Sequence, residues 1–275
     1  MAADITSDPL DGFERGEFVH GGKVRDVFRR GSGPAVIVIA EMPGITPKVL
    51  EFATRVADIG CTAVLPHLFG QPGRASIEAG VAKTLPYMLS SIVPACISRE
   101  FTVMATGQSS PAVGWLRALA AHEHERCGGP GVGAIGMCFT GGFALAMAAD
   151  DRLLAPVLSQ PSLPFGVSKK HRRNIDISPD DLATVKHRCA AEGLTVLGLR
   201  FTADKLVPAE RFEFLREQLG DAFVAVEIDS SKGNPHGLPG NAHSVVTEHL
   251  VDEPGHPTRD ALEQVLDLFR TRLLG

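Results

Sequence analysis

The run Ala35-Val-Ile-Val-Ile-Ala40 is apolar at every position. A strand with one wet face alternates apolar and polar residues, so this run predicts a strand covered on both faces. Cys61–Pro66, Val132–Met137, Leu153–Leu158, Val196–Phe201 and Phe223–Ile228 read as further strands, most of them equally buried. Helical patterns stand between them. Pro47–Ile59 places Val49, Phe52, Val56 and Ile59 on one face and stops at Gly60. Pro111–Arg126, Phe139–Ala149, Ala209–Leu219 and Thr258–Leu274 follow the same logic. Two short strands, Glu17–His20 and Val24–Arg29, flank Gly21-Gly22. This alternation predicts an α/β fold: a mostly parallel central sheet with helices on both faces. No internal repeat or linker breaks it, so residues 1–275 read as a single domain. Pro164–Asn174 reads as a loop, and Ser178-Pro179-Asp180-Asp181 as a helix start with its cap, proline and acids in place. Residues 164–193 are long for a connection and are expected to form a small cap or insertion. Between Gln71 and Gly107, helix and loop are not separable.

Composition narrows the function classes. The 275 residues carry 27 Lys+Arg against 32 Asp+Glu, a formal charge of −5, which argues against nucleic acid or an anionic membrane as partner. The basic run Lys169-Lys170-His171-Arg172-Arg173 reads as a solvated loop. No apolar run reaches the ~18 residues that span a bilayer. The N-terminus lacks the basic start and apolar core of a signal peptide. Five cysteines, 61, 96, 127, 138 and 189, without C-x-x-C, fit neither a disulfide framework nor a zinc site and point to a reducing, cytoplasmic setting. His122-Glu-His124 has a spacing that sends its rings to different helix faces, so no metal site is expected.

Gly131-Val-Gly-Ala-Ile-Gly136 spells G-x-G-x-x-G, but its glycines precede and end a strand instead of opening a helix. No acid ends a following strand about 20 residues on, so a dinucleotide site is not expected, nor is any cofactor. Cys138 is the informative residue. It falls between the strand ending at Met137 and the helix beginning at Phe139, with small Gly136 two positions earlier. That is the geometry of a nucleophile elbow. There the macrodipole favours a thiolate, and the Phe139 N–H becomes a free donor for an oxyanion.

A nucleophilic cysteine needs a base, and the base needs an orienting acid. Asp204 follows the strand Val196–Phe201 at the carboxyl edge of the sheet. His236 and His243 both follow the strand ending at Ile228 and compete for the role of base.

Gly136-Met-Cys138-Phe-Thr-Gly141-Gly142 resembles the elbow of the dienelactone hydrolase family, within the α/β-hydrolase fold. Asp204-Lys-Leu-Val-Pro208 resembles its acid loop, and Ala242-His243-Ser244 is similar to the segment around its catalytic histidine, which favours His243 over His236. Ile39-Ala-Glu41-Met42-Pro-Gly44 is similar to its segment after the first long core strand. The resemblance spans roughly Ala35 to the C-terminus. It implies Cys138 as nucleophile, His243 as base and Asp204 as its orienter. It further implies that Glu41 faces the resting thiol and takes its proton when substrate arrives. The N–H groups of Met42 and Phe139 would hold the oxyanion. The implied activity is cysteine-dependent hydrolysis of a small-molecule ester or lactone through an acyl-enzyme, of the carboxymethylenebutenolidase type.

Two positions depart from the family pattern. Thr140 stands where glycine is frequent, and its side chain must fit a crowded turn or hydrogen-bond locally. Thr247 stands where the family's dienelactone enzymes carry an arginine that grips the substrate carboxylate. Arg99, Arg117 or the Lys169–Arg173 run are the available replacements. The second departure keeps open a broader carboxylesterase or thioesterase. The first, with the paired histidines, keeps open a non-catalytic binding protein of the same fold. The sequence does not select an oligomeric state.

Overall fold

The computed structural model describes residues 8–75, 86, 87, 90, 91, 94, 98, 100, 101 and 104–275. Cys96, Arg99 and much of the 71–107 region lie outside the described residues.

Among the described residues, eight strands form one sheet: β1 (Glu14–His20), β2 (Lys23–Gly31), β3 (Ala35–Ile39), β4 (Thr62–Pro66), β5 (Val132–Met137), β6 (Leu153–Ser159), β7 (Val196–Phe201) and β8 (Phe223–Ile228). Their order is β1-β2-β4-β3-β5-β6-β7-β8. The hairpin strand β2 pairs antiparallel with β1 and β4, and every other pairing is parallel. The chain leaves β3 to one side to form β4, then crosses to the other side to form β5. The crevice at that reversal, outside the carboxyl ends of the strands, is where open α/β sheets place their sites.

Why β3 is apolar throughout is visible in its packing. Ala35, Ile37 and Ile39 belong to the core on one face of the sheet, and Val36, Val38 and Ala40 to the core on the other. All six are buried. Each valine or isoleucine so buried stabilises the fold by roughly 1.5–3 kcal/mol. β5 divides in the same way, with Val132 and Ala134 on the first face and Ile135 and Met137 on the second.

Helices cover both cores. On the second face lie α1 (Pro47–Asp58) and, near the C-terminus, Pro257–Phe269. Thr46 caps α1, its hydroxyl accepting from the Val49 N–H at 3.3 Å. On the first face lie α2 (Ala112–Cys127) and α3 (Gly141–Met147). The 164–193 segment contains α4 (Lys169–Arg172), which sequence alone reads as loop, and α5 (Pro179–Glu192) with the expected Ser178 cap. Arg188 of α5 donates to the carbonyls of Ala148, Asp150, Asp151 and Leu153, at the end of α3 remote from Cys138. α6 (Ala209–Leu219) and α7 (Pro257–Phe269) follow later in the chain. Among the described residues no helix is long and apolar enough to cross a membrane.

Candidate active site

β5 ends at Met137, and the chain turns through a three-residue 3-10 segment, Cys138–Thr140, into α3. Cys138 has φ 53, a conformation that costs a non-glycine residue energy and recurs where function demands it. Gly136 is required by close approach: a Cβ there would lie 2.1 Å from the Thr140 carbonyl oxygen. A Cβ on Gly141 would lie 2.5 Å from Pro161 Cα, so that glycine lets α3 pack against the chain leaving β6.

Thr140 is accommodated by local hydrogen bonding. Its hydroxyl donates to the Ile39 carbonyl at 2.9 Å, with the Met137 carbonyl as a second acceptor at 3.0 Å, and accepts from the Met137 N–H at 3.0 Å. The elbow is thereby tied to the end of β3. Thr140→Val keeps the shape and removes the hydroxyl. We expect it to lower unfolding stability by about 1–3 kcal/mol, because buried backbone groups lose their partner; an unchanged denaturant midpoint would contradict this role.

Opposite the elbow, His243 Nδ1 lies 2.6 Å from Asp204 Oδ2. Asp204 is buried in the turn after β7, where its Oδ1 accepts from the Leu206 N–H at 2.9 Å. The other ring nitrogen, Nε2, is buried and has no hydrogen-bond partner of normal geometry among the described residues. Burial disfavours the charged ring, but the Cys138 sulfur, which acts on it most strongly among neighbouring groups, and the Asp204 carboxylate together push His243 up to about 11. The ring is thus equipped to hold a proton when the sulfur is charged. His249 Nδ1 supports this loop, accepting from the N–H groups of His243 and Ser244 at 3.4 and 3.2 Å. Its pKa is lowered, chiefly by burial. His236 lies elsewhere, exposed, with its ring 5.3 Å from that of His256.

Glu41 is buried just beyond the end of β3 and held by three donors. Its carboxylate accepts from the Ser244 hydroxyl at 2.5 Å, from the Gln160 amide at 3.2 Å and from the Thr247 hydroxyl, and Cys138 is not among its partners. The physical reason is competition: two hydroxyls and an amide converge on the same two oxygens. Thr247, standing where the resemblance places arginine, closes that set. Desolvation of the buried carboxyl raises its pKa, and the Ser244 and Thr247 hydrogen bonds only partly offset this. A raised folded-state pKa contributes stability that is fully present below the unfolded value and is lost as pH rises through the folded one. Unfolding temperatures of wild type and Glu41→Gln, compared from about pH 4 to pH 8, should therefore diverge, with the wild type losing ground to the variant as pH rises. Parallel curves would rule out this account.

The segment leaving β6 was not singled out by the sequence, yet it reaches both the elbow and Glu41. Gln160 adopts φ 37, sending its side-chain amide to Glu41 and its side-chain oxygen toward the Val245 N–H at 3.3 Å. Ser162 places its hydroxyl 3.3 Å from the Cys138 sulfur. Buried Arg211 of α6 holds this segment, donating to the carbonyls of Pro161, Pro164, Asn174 and His171 at 2.6, 2.5, 2.7 and 3.3 Å. Burial pushes its guanidinium down to about 10, against the opposing charge of Asp204.

Three of the candidate replacement cations are engaged, and Arg99 lies outside the described residues. Arg117 pairs with Asp181 at 2.6 Å, Arg172 with Glu210 at 3.0 Å, and Arg173 with Glu213 and Glu217. On the apolar side of the elbow, Phe139 meets Phe101 and Phe69 edge-on, with centroids 5.5 and 6.0 Å apart.

A mostly parallel sheet with a strand–elbow–helix at its reversal defines an α/β-hydrolase. The chain belongs to the dienelactone hydrolase family, whose model matches residues 26–273. It is a hydrolase by that membership. Among solved structures it is similar to a putative dienelactone hydrolase from Klebsiella pneumoniae, at 17% identity and TM-score 0.57, over 94% of this chain and 99% of that one. It is similar to a dienelactone hydrolase-like promiscuous phosphotriesterase, P91, from metagenomic libraries, at 18% identity and TM-score 0.60, over 95% and 98%. A dienelactone hydrolase from Anabaena variabilis matches at 17% identity and TM-score 0.56, over 95% and 98%. Identities this low speak for the fold. Among curated proteins, no relative matches the sequence.

Proposed function

We propose that the protein hydrolyses a small-molecule carboxylic ester or lactone through an acyl-enzyme on Cys138, with His243 as base and Asp204 as its orienter. The observation that carries this reading is the pairing of His243 Nδ1 with Asp204 at 2.6 Å while the sulfur of the strained elbow acts on the same ring. His243 takes the thiol proton, and the thiolate adds to the substrate carbonyl carbon. The C=O electron pair moves onto oxygen, held by the N–H groups of Met42 and Phe139. Collapse expels the alkoxide, which receives the proton from His243. Water, losing a proton to His243, then cleaves the thioester and restores the thiol.

Glu41 enters this cycle differently from the expectation. To take the thiol proton it must first leave three donors, whereas direct transfer to His243 needs no such step. We therefore assign the proton to His243 and give Glu41, through Ser244, the task of fixing the histidine loop. With Thr247 turned onto Glu41, an uncharged ester or thioester is favoured over an anionic dienelactone. Turnover of a small activated ester by wild type and by Cys138→Ala tests the assignment; retained turnover in the variant ends it.

A further inference from the structure

Ser162 stands three residues beyond the end of β6 and is buried. The bend at Gln160, with φ 37, carries it back against the elbow. Its N–H donates to the Cys138 carbonyl at 2.9 Å, which fixes its place beside the nucleophile. Its hydroxyl has two acceptors within reach, the Cys138 sulfur at 3.3 Å and the Gln160 carbonyl at 3.2 Å. A serine hydroxyl carries one proton and serves one acceptor at a time, and rotation about a single bond exchanges them.

We propose that Ser162 is a further catalytic residue, whose hydroxyl donates to the Cys138 sulfur while that sulfur is a thiolate and turns to the Gln160 carbonyl once it is acylated. The proposal rests on the reading of Cys138 as nucleophile. A thiolate is a charged acceptor, and hydrogen bonds to charged groups are about twice as strong as neutral ones. Once His243 has taken the thiol proton, the hydroxyl therefore goes to the sulfur. During attack the sulfur's electron pair becomes the new S–C bond, and the negative charge passes to the carbonyl oxygen. The thioester sulfur is a poor acceptor, and the Gln160 carbonyl stands ready for the released donor. In deacylation the S–C bond breaks, its electrons return to sulfur, and the hydroxyl turns back to stabilise the departing thiolate. Ser162 gains and loses no proton at any step.

The test is the rate of Cys138 alkylation by iodoacetamide against pH, read by peptide mass spectrometry to separate Cys138 from the other cysteines. It is run on wild type, Ser162→Ala, Ser162→Gly and Ser162→Thr. Among the described residues, the titratable groups toward the sulfur are His243, with Asp204 and His249 behind it, and Glu41 just beyond β3; all are unchanged in these variants. Ser162→Ala is expected to raise the midpoint by about one pH unit and to slow alkylation below it about tenfold. Ser162→Thr, which restores the hydroxyl, is expected to keep the wild-type midpoint. Ser162→Gly removes the same hydroxyl and decides the matter should the alanine chain fail to fold. A midpoint unmoved by loss of the hydroxyl overturns the proposal, as does an equal shift in Ser162→Thr. An unmoved midpoint together with lost ester turnover in Cys138→Ala removes Ser162 alone. A moved midpoint with turnover retained in Cys138→Ala removes the reading of Cys138 as nucleophile, and the role of Ser162 in turnover with it.

Discussion

Cys138→Ala is expected to lower kcat for a small activated ester by at least about 10³-fold, leaving the fold intact. If Cys138 is the nucleophile of a triad, as proposed, each member depends on the others, so removing it forfeits the covalent route and leaves only the residual contribution of binding and the oxyanion donors. The variant should fold, because Cys138 is only partly buried and alanine fits within its outline. Wild-type protein quenched in acid during turnover should carry the acyl group on the peptide containing Cys138, and the variant should carry none. Modification elsewhere, or turnover within tenfold of wild type, would place the chemistry at another residue.

Gly136→Ala should produce the largest loss of stability of any single methyl added at the site. The new Cβ would stand 2.1 Å from the Thr140 carbonyl oxygen, 2.9 Å from its carbon and 3.1 Å from Gly141 Cα. All three are backbone atoms, so no side chain can rotate out of the way. Either the elbow opens or β5 shifts against β3, whose Ile39 pairs with Gly136. The expected cost is about 3 kcal/mol or more, at the upper end of overpacking effects. Because the strain falls on the turn that carries Cys138, activity should fall even at temperatures where the variant remains folded. A denaturant midpoint equal to wild type would show that the elbow has room that the backbone positions deny.

The sheet was legible in the sequence because burial on both faces leaves runs without polar residues, as in β3 and β5. Helix α5 was legible because Ser178 and Pro179 are start signals with a local mechanism. Where structure depends on partners distant in the chain, the sequence was silent. β1 begins at Glu14, three residues earlier than its pattern indicates, because pairing with β2 through Arg29 carries exposed polar residues into the ladder. Arg211 sits in a sequence, AERFEFLREQL, that reads as a helix with a charged outer face. Its burial is decided by four carbonyls some 40 residues earlier, which leave no mark near position 211. In the site, the positions of Cys138, Asp204, His243 and Glu41 carried motif-level signals. The bonds of Glu41 and the approach of Ser162 did not, since they arise from side chains on three separate loops meeting after the sheet has formed.

The reversal of strand order between β3 and β5 has a consequence for how the molecule comes into being. The groups around the sulfur hang from the ends of β3, β5, β6, β7 and β8, whose first and last members lie nearly 200 residues apart. Long-range strand pairing of this kind is completed late in folding. Until the last strand docks, a chain emerging from the ribosome carries at position 138 a plain thiol with no imidazole beside it. On the proposed reading, reactivity at Cys138 is thus conferred only on finished molecules.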